Sequence, residues 1–222
     1  MRKFDAVIFD LDGTLLNTLD DLADSCNIAL SHFGYPKRTL DEVRRFVGNG
    51  LGELINKALP EGRANKDYDS VLAFMRKIYA VNWNVKTTAY KGIIELLEGL
   101  AAKNVKMGIV SNKPDAQVKE LTNVFFDCRI EEKNAVGENE AKGIKRKPAP
   151  DSVFEVMKNL GVKKTRAVYV GDSDVDILTA NAAGIPCISV CWGFRSKDFL
   201  IEHGATCLVE KPDEIFSIIG VD

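Results

Sequence analysis

The stretch Ala6-Val7-Ile8-Phe9-Asp10-Leu11-Asp12-Gly13-Thr14 sets four consecutive apolar residues directly before two carboxylates spaced two apart. An apolar run without polar alternation reads as a strand buried on both faces of a parallel sheet. Carboxylates at the end of such a strand are expensive to bury unless something cationic or reactive answers them. Similar runs recur at Met107–Val110, Ala167–Val170, Ile185–Val190 and Cys207–Val209. Helical patterns separate them at Ile93–Ala102, Pro114–Val124, Pro150–Leu160, Ile177–Ala183 and Asp213–Ile219. Strand alternating with helix predicts the α/β class, with a parallel sheet covered on both sides.

The segment between the first two strands breaks this rhythm, since it carries only helical periodicity. Its apolar stripes are Leu19, Leu22, Ala23, Cys26 and Leu30; Leu40, Val43 and Val47; Leu51, Leu54, Ile55 and Ala58; and Val71, Leu72, Met75 and Ile78. Thr39 followed by Glu42 forms a capping-box start, and Pro60 closes the third helix. The predicted organisation is therefore a core of residues 1–15 and 86–222 with a helical insertion over 16–85. The insertion leaves at the carboxyl end of the first strand, where open α/β sheets bind ligands, and so can act as a lid. Gly137–Lys147 is the expected flexible loop.

Composition narrows the partners. The 222 residues carry 30 Lys plus Arg against 32 Asp plus Glu, so no whole-chain field advertises a nucleic acid or a membrane surface. The opening Met1-Arg2-Lys3-Phe4-Asp5 leads to an apolar run soon interrupted by acids, unlike a signal peptide or membrane span, and a cytoplasmic protein is expected, monomer or homodimer. The five cysteines, Cys26, Cys128, Cys187, Cys191 and Cys207, are scattered and read as packed thiols rather than a disulfide or zinc framework. With His32 and His203 the only histidines, no serine-hydrolase or cysteine-protease constellation can be built.

The carboxylates fit a different chemistry. A carboxylate is a nucleophile at neutral pH without a partner base, a role open to Asp10. Its charge would repel a phosphate ester, so a bridging cation is needed, and Mg²⁺ with oxygen ligands is the usual solution. Asp12 can protonate the leaving oxygen and later deprotonate water. Gly13 suits a sharp turn beneath a phosphate, and the Thr14 hydroxyl can hold either the chain or the phosphate oxygens. Ser111 and Asn112, between a strand and Pro114, can donate to a phosphate or simply cap a helix. Pro148 restricts Lys147, which otherwise reads as part of a solvated basic run. Asp172 ends another strand and can be the second carboxylate ligand. Asp176 completes a capping-box pattern with Ser173 and can be purely structural.

In this order, Asp10-x-Asp12-Gly13-Thr14, Ser111, Lys147-Pro148 and Gly171-Asp172-Ser173-x-x-Asp176 resemble the four motifs of the haloacid dehalogenase superfamily. The resemblance implies a three-layered, Rossmann-like core with an inserted α-helical cap. It makes Asp10 the nucleophile that forms an aspartyl-phosphate and Asp12 the general acid and base. Mg²⁺ would be held by the Asp10 carboxylate, the Asp12 carbonyl and Asp172, with Asp176 orienting bound water or Lys147. Thr14, Ser111, Asn112 and Lys147 would serve the phosphate.

Within the superfamily, the presence of Asp12 resembles the phosphatases and the β-phosphoglucomutase kind rather than the dehalogenases. Gly48-Asn49-Gly50-Leu51-Gly52, between two insertion helices, resembles the specificity loop of phosphoglycolate phosphatases, as does Trp192-Gly193-Phe194-Arg195 in style. Arg45 or Arg44 could neutralise a substrate carboxylate, although a plain turn beside a solvated Arg pair fits the same residues. Asn17-Thr18 and Thr88–Gly92 depart from the family's usual pattern and weaken a precise substrate name. The expectation is a Mg²⁺-dependent hydrolase of a small organic phosphate ester, 2-phosphoglycolate first. A sugar phosphomutase or a non-catalytic phosphate-sensing module are the alternatives.

Overall fold

The apolar run that opens the chain becomes β1 (Ala6–Phe9), with every residue fully buried, third in a six-stranded sheet. The computed structural model describes residues 2–126 and 129–221, so Cys128 lies outside the described residues. In chain order β1 is followed by β2 (Leu16–Asn17), α1 (Leu19–His32), α2 (Leu40–Phe46), α3 (Gly50–Ala58), α4 (Tyr68–Asn82) and β3 (Thr88–Ala89). Then come α5 (Ile93–Ala102), β4 (Lys106–Pro114), α6 (Asp115–Phe126), β5 (Ala135–Glu138), α7 (Asp151–Leu160) and β6 (Ala167–Gly171). The chain closes with α8 (Asp174–Ala183), β7 (Cys187–Val190), α9 (Lys197–Glu202), β8 (Leu208–Val209) and α10 (Glu214–Ile219).

Two compact units result, Met1–Leu15 with Ala89–Asp222 and Leu16–Thr88. The first holds the sheet, ordered β5-β4-β1-β6-β7-β8 with all its pairs parallel. Ala6 and Ile8 face α7 and α8, packing with Val153, Val156, Ala180 and Ala183. Val7 and Phe9 point the other way and are equally buried, so both faces are covered. This is the α/β, Rossmann-like architecture expected.

The second unit is helical. Its stripes are buried as patterned, except that Leu40 is exposed, Leu51 is half-buried and Tyr79, rather than Ile78, completes the α4 face. The Thr39–Glu42 capping box starts α2, with both reciprocal bonds formed. The return crossing falls at Thr88–Ala89 rather than 85–86. Asp21 is the reason, since its buried carboxylate accepts the backbone N–H groups of Val85, Lys86 and Thr87 at 3.1, 2.9 and 2.8 Å and ties that segment to α1.

Three expectations change. Pro114 ends β4 instead of starting a helix, so Ser111 and Asn112 are strand residues and not a helix cap. The β4–β5 register shifts between Val110 and Pro114, and this irregularity re-aims the residues within it. Part of the loop expected over 137–147 is edge strand β5, closed by an Asn139–Ile144 bridge and an Arg146–Glu138 ion pair. Among the described residues, Cys26, Cys187, Cys191 and Cys207 are free thiols, and no helix is long and apolar enough to cross a membrane.

Candidate active site

The core residues singled out above come from the carboxyl ends of β1, β4 and β6, the segment leading into α7, the first turn of α8 and the segment after β7. Asp10 leaves β1 still bonded to its neighbour, its N–H donating to the Val170 carbonyl at 2.8 Å. The chain then turns at Gly13, whose φ of +87° lies in the left-handed region. A Cβ there would sit 2.3 Å from Asp172 Oδ2, so a side chain would force apart the loops after β1 and β6.

Lys147 is the hub. Its Nζ stands 2.7 Å from both Asp10 Oδ1 and Asp176 Oδ1 and donates to the Tyr169 hydroxyl at 3.3 Å. Asn112 holds the lysine in place from both sides of its backbone: Oδ1 accepts the Lys147 N–H at 2.7 Å and Nδ2 donates to its carbonyl at 3.3 Å. The Asn112 side chain thus fixes Lys147 where direct phosphate bonding was expected of it.

Asp176 performs both of the jobs its sequence context left open. Oδ2 accepts the Ser173 N–H at 3.1 Å and the Ser173 hydroxyl at 2.6 Å, closing the capping box of α8. Oδ1 meets Lys147 and accepts the Tyr169 hydroxyl at 3.0 Å. Asp172 accepts the Phe194 N–H at 2.7 Å and the Thr14 hydroxyl at 3.3 Å. The Thr14 hydroxyl, expected on the phosphate, is therefore turned to a carboxylate, and Thr14 itself is 1% exposed. Trp192 Nε1–H donates to the Thr14 carbonyl at 3.0 Å, so the segment after β7 clamps both loops.

Asp12 points elsewhere. Its Oδ1 lies 2.6 Å from Lys113 Nζ, and Oδ2 accepts from Ser111 Oγ at 3.4 Å. Lys113 is a site residue that sequence reasoning missed. The signal was its place beside Ser111 and Asn112, but a lysine before a proline reads as surface until the irregular end of β4 turns it inward.

The charges are unevenly matched. Asp10, Asp172, Asp176 and Lys147 are all buried, three acids to one ammonium. Burial, and next the Asp176 charge, pushes Asp10 well above the ordinary carboxylate range. The same two causes push Asp172 up to about 7. Burial opposes the charge on Lys147, yet Asp10 and Asp176 outweigh it and hold the ammonium above the ordinary lysine value. One oxygen from each of Asp10, Asp172 and Asp176 lies within 4.8 Å of the others. An oxygen-only donor set short of positive charge fits a hard divalent cation. Asp176 joins this group, while the Asp12 carboxylate is held toward Lys113.

In the helical unit, residues 47–49 join α2 to α3, with Gly48 and Gly50 at φ of +116° and +78°. Asn49 precedes α3 without capping it through its side chain. Arg45 is exposed, and Arg44 is paired with Asp41 at 2.7 Å.

A parallel α/β unit with an acidic cluster on its central strand ends, bridged by a buried lysine, defines a class, and residues 7–190 match it as Haloacid dehalogenase-like hydrolase. The chain belongs to this family. It is 34% identical over 212 residues to a phosphoglycolate phosphatase of Pseudomonas savastanoi pv. phaseolicola, covering 93% of this chain and 74% of that one. A phosphoglycolate phosphatase of Rhodospirillum rubrum is 33% identical, covering 92% and 86% of the two chains. The crystal structure of a candidate phosphoglycolate phosphatase from Lactobacillus delbrueckii subsp. bulgaricus superposes with a TM-score of 0.92 at 34% identity, covering 99% of this chain and all of the other.

Proposed function

We propose that this protein is a Mg²⁺-dependent phosphatase that converts 2-phosphoglycolate to glycolate and inorganic phosphate. The observation that carries the chemistry is Lys147 Nζ at 2.7 Å from Asp10, within a buried group of three carboxylates. The similarity to phosphoglycolate phosphatases over most of the chain supports the substrate.

Asp10 attacks phosphorus, forming an Asp10 O–P bond as the ester P–O bond breaks. Asp12 delivers its proton to the departing glycolate oxygen. Water then attacks phosphorus, Asp12 takes the proton released, and phosphate leaves as the Asp10 carboxylate is restored. Lys147 orients Asp10 and offsets the charge that accumulates on the phosphoryl oxygens. Ser111, at the end of β4, supplies a hydroxyl beside Asp12, and Asn112 keeps Lys147 placed. The Asp10 and Asp172 carboxylates with the Asp12 carbonyl would hold Mg²⁺, which supplies electrostatic shielding between the acids and the incoming phosphate. In the helical unit, Arg45, Gly48, Asn49 and Gly50 are the candidate specificity residues.

The test is phosphate release from a panel of esters with Mg²⁺. The expected result is turnover led by 2-phosphoglycolate, falling below about one-thousandth in Asp10→Asn. No release from any ester, or undiminished release by the variant, refutes the reading.

A further inference from the structure

We propose that Lys113 is a specificity-determining residue that reads negative charge on the leaving group of the ester. The inference rests on the phosphatase reading above and extends it to the origin of substrate choice within the α/β unit.

The Lys113 ammonium stands 2.6 Å from Asp12 Oδ1, with the two side chains 9% and 18% exposed. Ser111 fixes the two to one another. Its hydroxyl donates to Asp12 Oδ2 at 3.4 Å and accepts the Lys113 backbone N–H at 3.1 Å. Asp12 is the acid assigned to the leaving oxygen, so whatever departs must pass beside this ammonium.

Distances make the contact specific for a short acid. An oxygen receiving a proton from the Asp12 oxygen that faces Lys113 lies about 2.7 Å from it, and hence within about 5 Å of the Lys113 ammonium. In 2-phosphoglycolate the carboxylate hangs from the ester oxygen through one methylene, a reach of about 3 Å. One charge-assisted hydrogen bond closes the gap. A neutral alcohol of equal length leaves the ammonium without that interaction, and once Asp12 has given up its proton its charge would, without the ammonium, repel the anionic product. The phosphoryl end is served separately by Lys147, at 2.7 Å from Asp10 and Asp176. Two ammonium groups thus divide the site, one on the acid that accepts phosphorus and one on the acid that releases the alcohol.

The experiment compares kcat/KM for 2-phosphoglycolate and 2-hydroxyethyl phosphate, which has a similar length without the second charge. Wild type, Lys113→Gln and Lys113→Arg are measured with Mg²⁺. Both substrates are expected to slow in Lys113→Gln because Asp12 loses its partner, so the ratio is the readout. That ratio should fall about tenfold or more in Lys113→Gln and stay close to wild type in Lys113→Arg. A parallel loss on the two esters overturns the inference and leaves the phosphatase reading standing. So does a wild-type enzyme with no preference for the charged ester, a result that needs no variant to fold. Wild-type protein that releases phosphate from neither ester, nor from any other in the panel, sinks both.

Discussion

Replacing Asp172 with asparagine is expected to stabilise the metal-free protein at pH 8 and leave it little changed at pH 4. Asp172 is 1% exposed, and burial with the Asp176 charge lifts its carboxyl from 3.8 to about 7. A folded value above the unfolded one means the associated stability is complete below pH 3.8 and is lost as pH rises through about 7. Roughly three pKa units at about 1.36 kcal/mol each give about 4 kcal/mol as the upper bound of that loss. Asp10 is raised by the same neighbours, so the two share the penalty, and about 2 kcal/mol is the working expectation for one substitution. Asparagine matches the protonated acid in shape and keeps a carbonyl for the Phe194 N–H, which donates to Asp172 at 2.7 Å. Urea denaturation in EDTA at the two pH values measures the difference. Added Mg²⁺ should reverse the order at pH 8, since saturation at 100 times Kd stabilises wild type by about 2.7 kcal/mol and the variant lacks one of the proposed ligands. A variant less stable than wild type at pH 8 in EDTA, or a gain equal at both pH values, would refute the electrostatic account.

Other substitutions probe different joints. Gly193→Ala would place a Cβ 2.3 Å from Asp172 Cβ and 2.4 Å from the Gly13 carbonyl, and should cut kcat about 100-fold by displacing Asp172. Asp176→Ala removes a helix cap and strands the buried Lys147 partner, so denaturation should show a loss of about 3–5 kcal/mol. Asp5 is held well below the usual carboxylate range by hydrogen bonds from Arg166 and then Arg2. Its contribution is present above pH 3.8 and lost as pH falls further, so Asp5→Asn should flatten the acid limb of a stability profile, and added salt should shrink the effect.

The features legible from sequence are those written in local pattern. Val7 and Phe9 beside Ala6 and Ile8 left no solvent face, so β1 had to be central, and its end had to present Asp10. Ser173 and Asp176 carried a capping box whatever else Asp176 did. Lys113 was illegible because its burial depends on the shifted pairing of β4 with β5, a property of two strands and not of one. β5 itself is short, and Gly137 within it reads as a loop residue. In the structure a Cβ at Gly137 would lie 2.5 Å from the Lys113 carbonyl, so that glycine permits the close approach of β4. Thr14 and Asn112 were placed at the site for their donors, but spacing could not say whether a donor faces a ligand or a neighbouring loop.

The divided loyalty of Asp176 has a practical corollary. One of its oxygens secures the opening turn of α8 while the other steadies Lys147. Fraying of that turn would therefore disarm the lysine even with the rest of the sheet intact. Amide hydrogen exchange at Ser173 and Asp176 becomes a substrate-free reporter of whether the centre is armed, readable on variants too slow to assay by turnover.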